Sequence, residues 1–194
     1  MVVSVLKTKE EIRKEMLEMR NTITKDYVFT NSKKILEQLL TVEEFVNSNC
    51  VSIYLSFGNE VDTFLIVEWL KQNNKRIVVP YTEKNEIKLT PVYVNDMDED
   101  LTESLFGYPE PIIERVKFAR LDEIDFVIVP GVAFDDSKSR IGYGKGYYDQ
   151  YLSRFNPDVR FAGLAYDFQL LDLIPNEQHD IKMDIIISEK RLIR

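Results

Sequence analysis

The sequence predicts an α/β fold, a three-layer αβα sandwich with a largely parallel central sheet. Three observations predict it. Apolar runs stand at residues 50–55, 76–81, 125–130, 160–166 and 185–188, all but the fourth carrying Val or Ile. Segments with helical spacing of apolar residues separate several of these runs, and such alternation indicates parallel strands linked by helical crossovers. The run at 125–130 is continuous rather than alternating, as a central strand covered on both faces requires.

The 194 residues suffice for one domain with a continuous core, and nothing divides residues 1–194 into two. Hydrophobic residues make up 44% of the chain, and the single Cys50 excludes an intrachain disulfide framework, which predicts a reducing, cytoplasmic setting. No stretch approaches the roughly 18 apolar residues of a membrane span, and the first residues lack the pattern of a signal peptide. A net charge of −8 opposes nonspecific nucleic-acid binding. An anionic ligand therefore needs a local basic pocket that works against the overall field.

In chain order, Thr8 and Glu11 form a capping-box pattern ahead of Ile12, Met16 and Met19, predicting a helix over residues 9–20. Lys9 and Arg13, four apart, emerge from one face of it. Thr24 caps a second helix to residue 40, with Val28, Ile35, Leu36 and Leu39 on its apolar side. The strand at 50–55 runs into a loop carrying Phe57 and Glu60, and a helix capped by Asp62 or Thr63 follows through Leu70. That loop lies at the carboxyl end of its strand, where open α/β sheets bind ligands. After the strand at 76–81, residues 86–94 read as a more exposed one. Residues 95–119 read as a long loop with a helical turn near 98–102. Beyond the central strand, residues 147–155 are predicted helical, ahead of the last two strands.

The chain is organised around residues 128–151, IVPGVAFDDSKSRIGYGKGYYDQY, which hold Gly131, Gly142, Gly144 and Gly146, four of the seven glycines. Glycine concentrated in this way indicates unusual φ/ψ or close backbone approach. Uncovered N–H groups, Arg140, Lys145 and a following helix N-terminus together make an anion cradle, with charge-assisted hydrogen bonds worth roughly 1.5–3 kcal/mol each. The Walker A and dinucleotide fingerprints both fail, because Gly146 follows Lys145 and Tyr147 occupies the third-glycine position. A glycine-rich hairpin is the plain structural alternative.

The segment PGVAFDDSKSRIGYGKGYYDQYL resembles the signature of the 5-formyltetrahydrofolate cyclo-ligase family, also called 5,10-methenyltetrahydrofolate synthetases. The likeness recurs in Lys9 and Arg13, in YLSFGNEVDT at 54–63, in the GYPEP segment at 107–111 and in HDIKMD at 179–184. Lys138 departs from the pattern, standing where the family usually has glycine.

The resemblance implies that ATP is held by Lys9, Arg13, Arg140, Ile141, Gly142, Tyr143, Gly144, Lys145, Gly146, Tyr147 and Tyr148. It places Leu55, Phe57, Glu60 and Tyr147 against the folate, and it makes Arg140 and Lys145 the groups that neutralise transferring phosphate. It assigns Asp149 and Asp180 to Mg²⁺, a hard cation that commonly takes one or two protein carboxylates and completes its shell with water and phosphate oxygens. The lone His179 carries no zinc site. The implied reaction is ATP- and Mg²⁺-dependent cyclisation of 5-formyltetrahydrofolate to 5,10-methenyltetrahydrofolate, through a phosphorylated formyl group, by a cytoplasmic monomer with no nucleic-acid or membrane partner. A sugar-phosphate isomerase that needs no ATP and a noncatalytic nucleotide-binding module are the competing expectations.

Overall fold

A computed structural model describes residues 7–83, 86–104 and 107–194. Three helices come first: α1 (Lys9–Thr22), α2 (Lys25–Leu39) and the short α3 (Glu43–Asn47). The capping box of α1 is formed, with the Thr8 side chain accepting from Glu11 N–H and the Glu11 side chain accepting from Thr8 N–H. Thr24 caps α2 through Tyr27 N–H. Strand β1 (Cys50–Ile53), helix α4 (Phe64–Gln72) and strand β2 (Arg76–Thr82) then make a right-sized parallel crossover unit, and β3 (Leu89–Tyr93) returns antiparallel.

The middle of the chain departs from expectation. The expected helical turn lies two residues earlier, as one isolated turn in which Asp100 N–H donates to Asp96 O at 2.9 Å, after which β4 (Leu101–Glu103) pairs with β5 (Pro109–Pro111). The Asp100 carboxylate accepts from Asn95 and Asp96 N–H, and Asp96 accepts from Asp98 and Glu99 N–H. The Asp96 side chain caps this isolated turn, and the chain enters β4 before a second turn forms. Leu105 and Phe106, within the long loop predicted here, lie outside the described residues. Strand β3 is also less exposed than its charged flanks suggest, with Leu89, Pro91 and Val92 buried.

The remaining elements are β6 (Lys117–Phe118), β7 (Phe126–Val129), β8 (Ala133–Asp135), β9 (Arg140–Ile141), α5 (Tyr147–Leu152), β10 (Arg160–Leu164), β11 (Leu170–Leu171), β12 (Ile185–Ile187) and β13 (Leu192–Ile193). The main sheet has the order β13-β12-β10-β7-β1-β2-β3-β6, and its five inner strands from β12 to β2 are parallel.

Strict alternation divides the core between the two faces of this sheet. Val51, Ile53, Phe126, Ile128, Ile185 and Ile187 pack with α2, α3 and α4. Cys50, Val127, Val129 and Ile186 pack on the other side with Tyr151 and Leu152 of α5. Both faces are covered, so the inner strands read as unbroken apolar runs. The α5 side is thin, however, since a six-residue helix and irregular chain do the covering. A small second sheet, β11-β8-β9, supports α1 through Ile12 and Met16 against Val132, Ala133 and Ile141.

The order of the strands also locates the site. The chain leaves β1 toward β2 on one side, and later fills the other side with β7, β10 and β12. The carboxyl ends of β1 and β7 therefore flank a topological switch point, where loops diverge and leave a crevice.

Candidate active site

Two adjoining compartments open at that crevice. The larger, about 600 Å³, is lined by Lys9 and Arg13 of α1, by the whole run from Arg140 to Asp149, and by Glu177, His179 and Asp180. The smaller, about 200 Å³, is lined by Tyr54, Leu55, Phe57 and Glu60 after β1 and by Tyr108 to Pro111. Thr82, Leu89, Tyr108, Pro130, Tyr143 and Tyr148 line both. Every residue expected at the nucleotide thus reaches one cavity, and Leu55, Phe57 and Glu60 reach the other. Tyr147, expected to serve both, lines only the larger, while Tyr143 and Tyr148 take the shared position.

The glycine loop owes its path to backbone geometry that a side chain would resist. Gly144 and Gly146 have φ of 90° and 71°, in the left-handed region. A Cβ on Gly144 would stand 3.2 Å from the Arg13 guanidinium, whose Nε donates to Gly142 O at 2.9 Å. Lys138 has φ 65°, in the left-handed region that favours glycine, held by its N–H to Asp135 O and by Met183 N–H to its own carbonyl, each 2.9 Å.

Charge in the larger compartment is mostly paired. Lys9 Nζ lies 2.6 Å from Asp180 Oδ2 and 3.0 Å from Glu177 Oε1. Burial alone would raise the Asp180 carboxyl, but the bonds from Lys9 and from Glu177 N–H hold it below the usual range. Arg140 is buried, with Nη2 3.0 Å from Asp149 Oδ1, and its Nε is a buried donor without a partner. Asp149 Oδ1 also accepts from Ile181 N–H at 3.1 Å, which brings Asp149 beside the Asp180 segment. Lys145 is exposed at the rim and makes no hydrogen bond or ion pair among the described residues.

The donor set fits Mg²⁺ in its sparse mode. Among the described residues no group of three or more His, Cys, Asp or Glu side chains could cage a metal. Asp149 and Asp180 nevertheless face one cleft, each with one oxygen engaged by a cation, and two carboxylates are what a phosphate-borne Mg²⁺ asks of a protein.

In the smaller compartment Glu60 is buried and not a solvated loop acid. Burial raises its carboxyl, opposed by Arg20, by the Tyr143 hydroxyl and by Phe57 N–H. Tyr143 OH donates to Oε1 at 2.6 Å and Phe57 N–H to Oε2 at 3.2 Å, while Tyr166 OH donates to the Glu60 carbonyl at 2.8 Å. A carboxylate has about four acceptor positions, so acceptor capacity toward a ligand remains. Phe57 stacks on Tyr143 at 6.0 Å and meets Tyr108 at 5.7 Å, giving an aromatic wall for a flat ring.

Sequence reasoning missed Arg20. It is buried, and its Nη1 lies 3.7 Å from Glu60 Oε1. The signal was available: positions 9, 13, 16 and 20 make one stripe on a helix, so Arg20 continues the face that carries Lys9 and Arg13.

A glycine-rich loop beside an aromatic pocket with a buried acid, at the switch point of an α/β sheet, is a layout that can seat two chemically different ligands side by side. Residues 5–189 match the 5-formyltetrahydrofolate cyclo-ligase family, and the chain belongs to that family. A probable 5-formyltetrahydrofolate cyclo-ligase of Caenorhabditis elegans is 27% identical over 98% of this chain and 97% of its own, and the 5-formyltetrahydrofolate cyclo-ligase of Mus musculus is 26% identical over 96% of each. The solved 5,10-methenyltetrahydrofolate synthetase of Aquifex aeolicus superposes with a TM-score of 0.82 at 30% identity, covering 96% of this chain and 92% of that one.

Proposed function

We propose that this chain, acting as one domain over residues 1–194, cyclises 5-formyltetrahydrofolate to 5,10-methenyltetrahydrofolate at the expense of ATP, with Mg²⁺. The observation that carries the reading is the shared wall. A nucleotide in the basic compartment and a folate in the aromatic one would meet at Tyr143, Tyr148, Pro130 and Thr82.

A formamide carbonyl is a poor electrophile and its oxygen a poor leaving group, and phosphorylation cures both. The formyl oxygen attacks the γ-phosphorus and the bond to the β-bridging oxygen breaks, releasing ADP. N10 then attacks the activated formyl carbon, the carbon–oxygen bond breaks with phosphate leaving, and the N10 proton passes to solvent. The protein's part is alignment and charge neutralisation, as in phosphoryl transfer generally. Lys145 and Arg13 offer positive charge to the phosphates, and Arg140, paired with Asp149, adds its charge from the cavity wall. Glu60 accepts N–H groups of the pterin against the Phe57 ring. Asp149 and Asp180 would hold Mg²⁺, which would supply positive charge to offset that of the phosphates.

One chain lines both compartments, which suits a monomer. Among the described residues no helix is long and apolar enough to cross a membrane, and a buried free Cys50 suits the cytoplasm. The test is formation of the methenyl chromophore from 5-formyltetrahydrofolate with ATP and Mg²⁺ present or omitted. Product only with both is the expected result. Product without ATP overturns the phosphorylation step, and none under any condition overturns the reading in favour of the isomerase or the noncatalytic module.

A further inference from the structure

Arg20 stands two helical turns beyond Arg13, at the end of α1 that reaches the smaller compartment. Its Nη2 donates to Tyr143 OH, and that hydroxyl in turn donates to Glu60 Oε1 at 2.6 Å. The guanidinium carbon also lies 5.5 Å from the centre of the Tyr143 ring. A tyrosine hydroxyl has one proton, so this is a directed chain, with cation donating to hydroxyl and hydroxyl to carboxylate. Each link polarises the next.

We propose that Arg20 is a positioning residue for the folate compartment, acting through the Tyr143 hydroxyl to hold the Glu60 carboxylate and the Tyr143–Phe57 wall in place for the ligand. The inference rests on the folate reading of that compartment. Three observations carry it. Glu60 is 6% exposed, and a carboxylate that far from water needs a compensating charge to remain an acceptor; Arg20, itself 6% exposed, provides it. Tyr143 sits between Gly142 and Gly144 and is 40% exposed, so its hydroxyl bonds and its stack on Phe57 are what hold it. The backbone of the same helix end is tied to the loop after β1, since Asn59 Nδ2 donates to Arg20 O at 3.0 Å and to Ile23 O at 3.2 Å. Arg13 holds the Gly142 carbonyl and Arg20 holds the next side chain, so one helix face orients the nucleotide loop and the folate wall by separate contacts.

Direct binding distinguishes this role from a structural one. The dissociation constants of 5-formyltetrahydrofolate and of a nonhydrolysable ATP analogue are measured by calorimetry for wild type, Tyr143→Phe, Arg20→Gln and Arg20→Lys. Tyr143→Phe keeps the ring stack on Phe57 and removes only the relay, so it remains informative even where Arg20→Gln fails to fold. Loss of one charged hydrogen bond predicts about tenfold weaker folate binding for Tyr143→Phe and Arg20→Gln, with nucleotide binding changed by less than about twofold for Arg20→Gln, since Arg20, unlike Tyr143, lines neither compartment. Arg20→Lys, keeping charge without the planar fork, falls between. Unchanged folate binding in Tyr143→Phe, or equal losses for both ligands in the Arg20 variants, overturns the inference. Wild-type protein that binds folate but forms no methenyl product sinks the catalytic reading while leaving this comparison to decide Arg20; wild-type protein that does not bind folate overturns both.

Discussion

Lys9 Nζ lies 2.6 Å from Asp180 Oδ2, an ion pair that ties the first turn of α1 to a segment 171 residues away. Both residues line the larger compartment, and their side chains are only 22% and 13% exposed. It holds in reserve a cation suited to phosphate and a carboxylate suited to a metal.

Lys9→Met should lower stability at pH 7 by about 1–2 kcal/mol, the value of a partly buried charged hydrogen bond. The Asp180 carboxyl is depressed in the folded state, so its contribution is present above the ordinary carboxyl range and is lost as pH falls through the folded value. Denaturant melts at pH 7 and pH 3 should show the gap between wild type and variant narrowing in acid. Asp149→Asn and Asp180→Asn should each shift the Mg²⁺ dependence of turnover by at least about tenfold; unchanged titration curves in both would remove these residues from the metal site.

Lys145 and Arg140 should behave differently. Lys145→Ala removes an exposed charge and should leave stability within about 0.5 kcal/mol while weakening ATP about tenfold. Arg140→Ala strips Asp149 of its buried cation and should cost about 2–4 kcal/mol as well as ATP affinity. Thermal melts beside nucleotide titrations check the contrast.

Lys138 holds a left-handed backbone at φ 65° within the loop between β8 and β9. Lys138→Gly should raise stability by about 0.5–1 kcal/mol, because glycine meets no Cβ penalty there. An unchanged or lower denaturation midpoint would count against strain at this position.

Burial pushes the Cys50 thiol up to about 11. In native protein at pH 8 it should resist thiol reagents and react only as fast as the chain opens, so that labelling accelerates with denaturant. A folded-state value above the unfolded one favours folding at lower pH, and this contribution is lost as pH rises from about 9 through 11.

Much of the architecture was legible because its signals are local. The caps at Thr8 and Thr24 and the unbroken run of β7 record hydrogen bonding and two-sided burial within a few neighbouring residues. The glycine loop and the stripe of Lys9 and Arg13 were legible for the same reason, and family likeness joined them to Glu60 and Asp180.

The sequence by itself therefore determined the α/β class, most of the element order and the residue types gathered at the crevice. Tertiary structure decided what each of them faces. The two- and three-residue strands β4, β5, β8, β9 and β11 are too short to carry a period, and their pairing follows from what lies beside them. Glu60 reads as a solvated loop acid until the packing of α1 brings Arg20 and Tyr143 against it. Arg140 reads as an open cradle cation until burial commits it to Asp149. Periodicity records which face of an element is covered; the partner of a buried charge is set by which distant loops the closed sheet brings within hydrogen-bond reach.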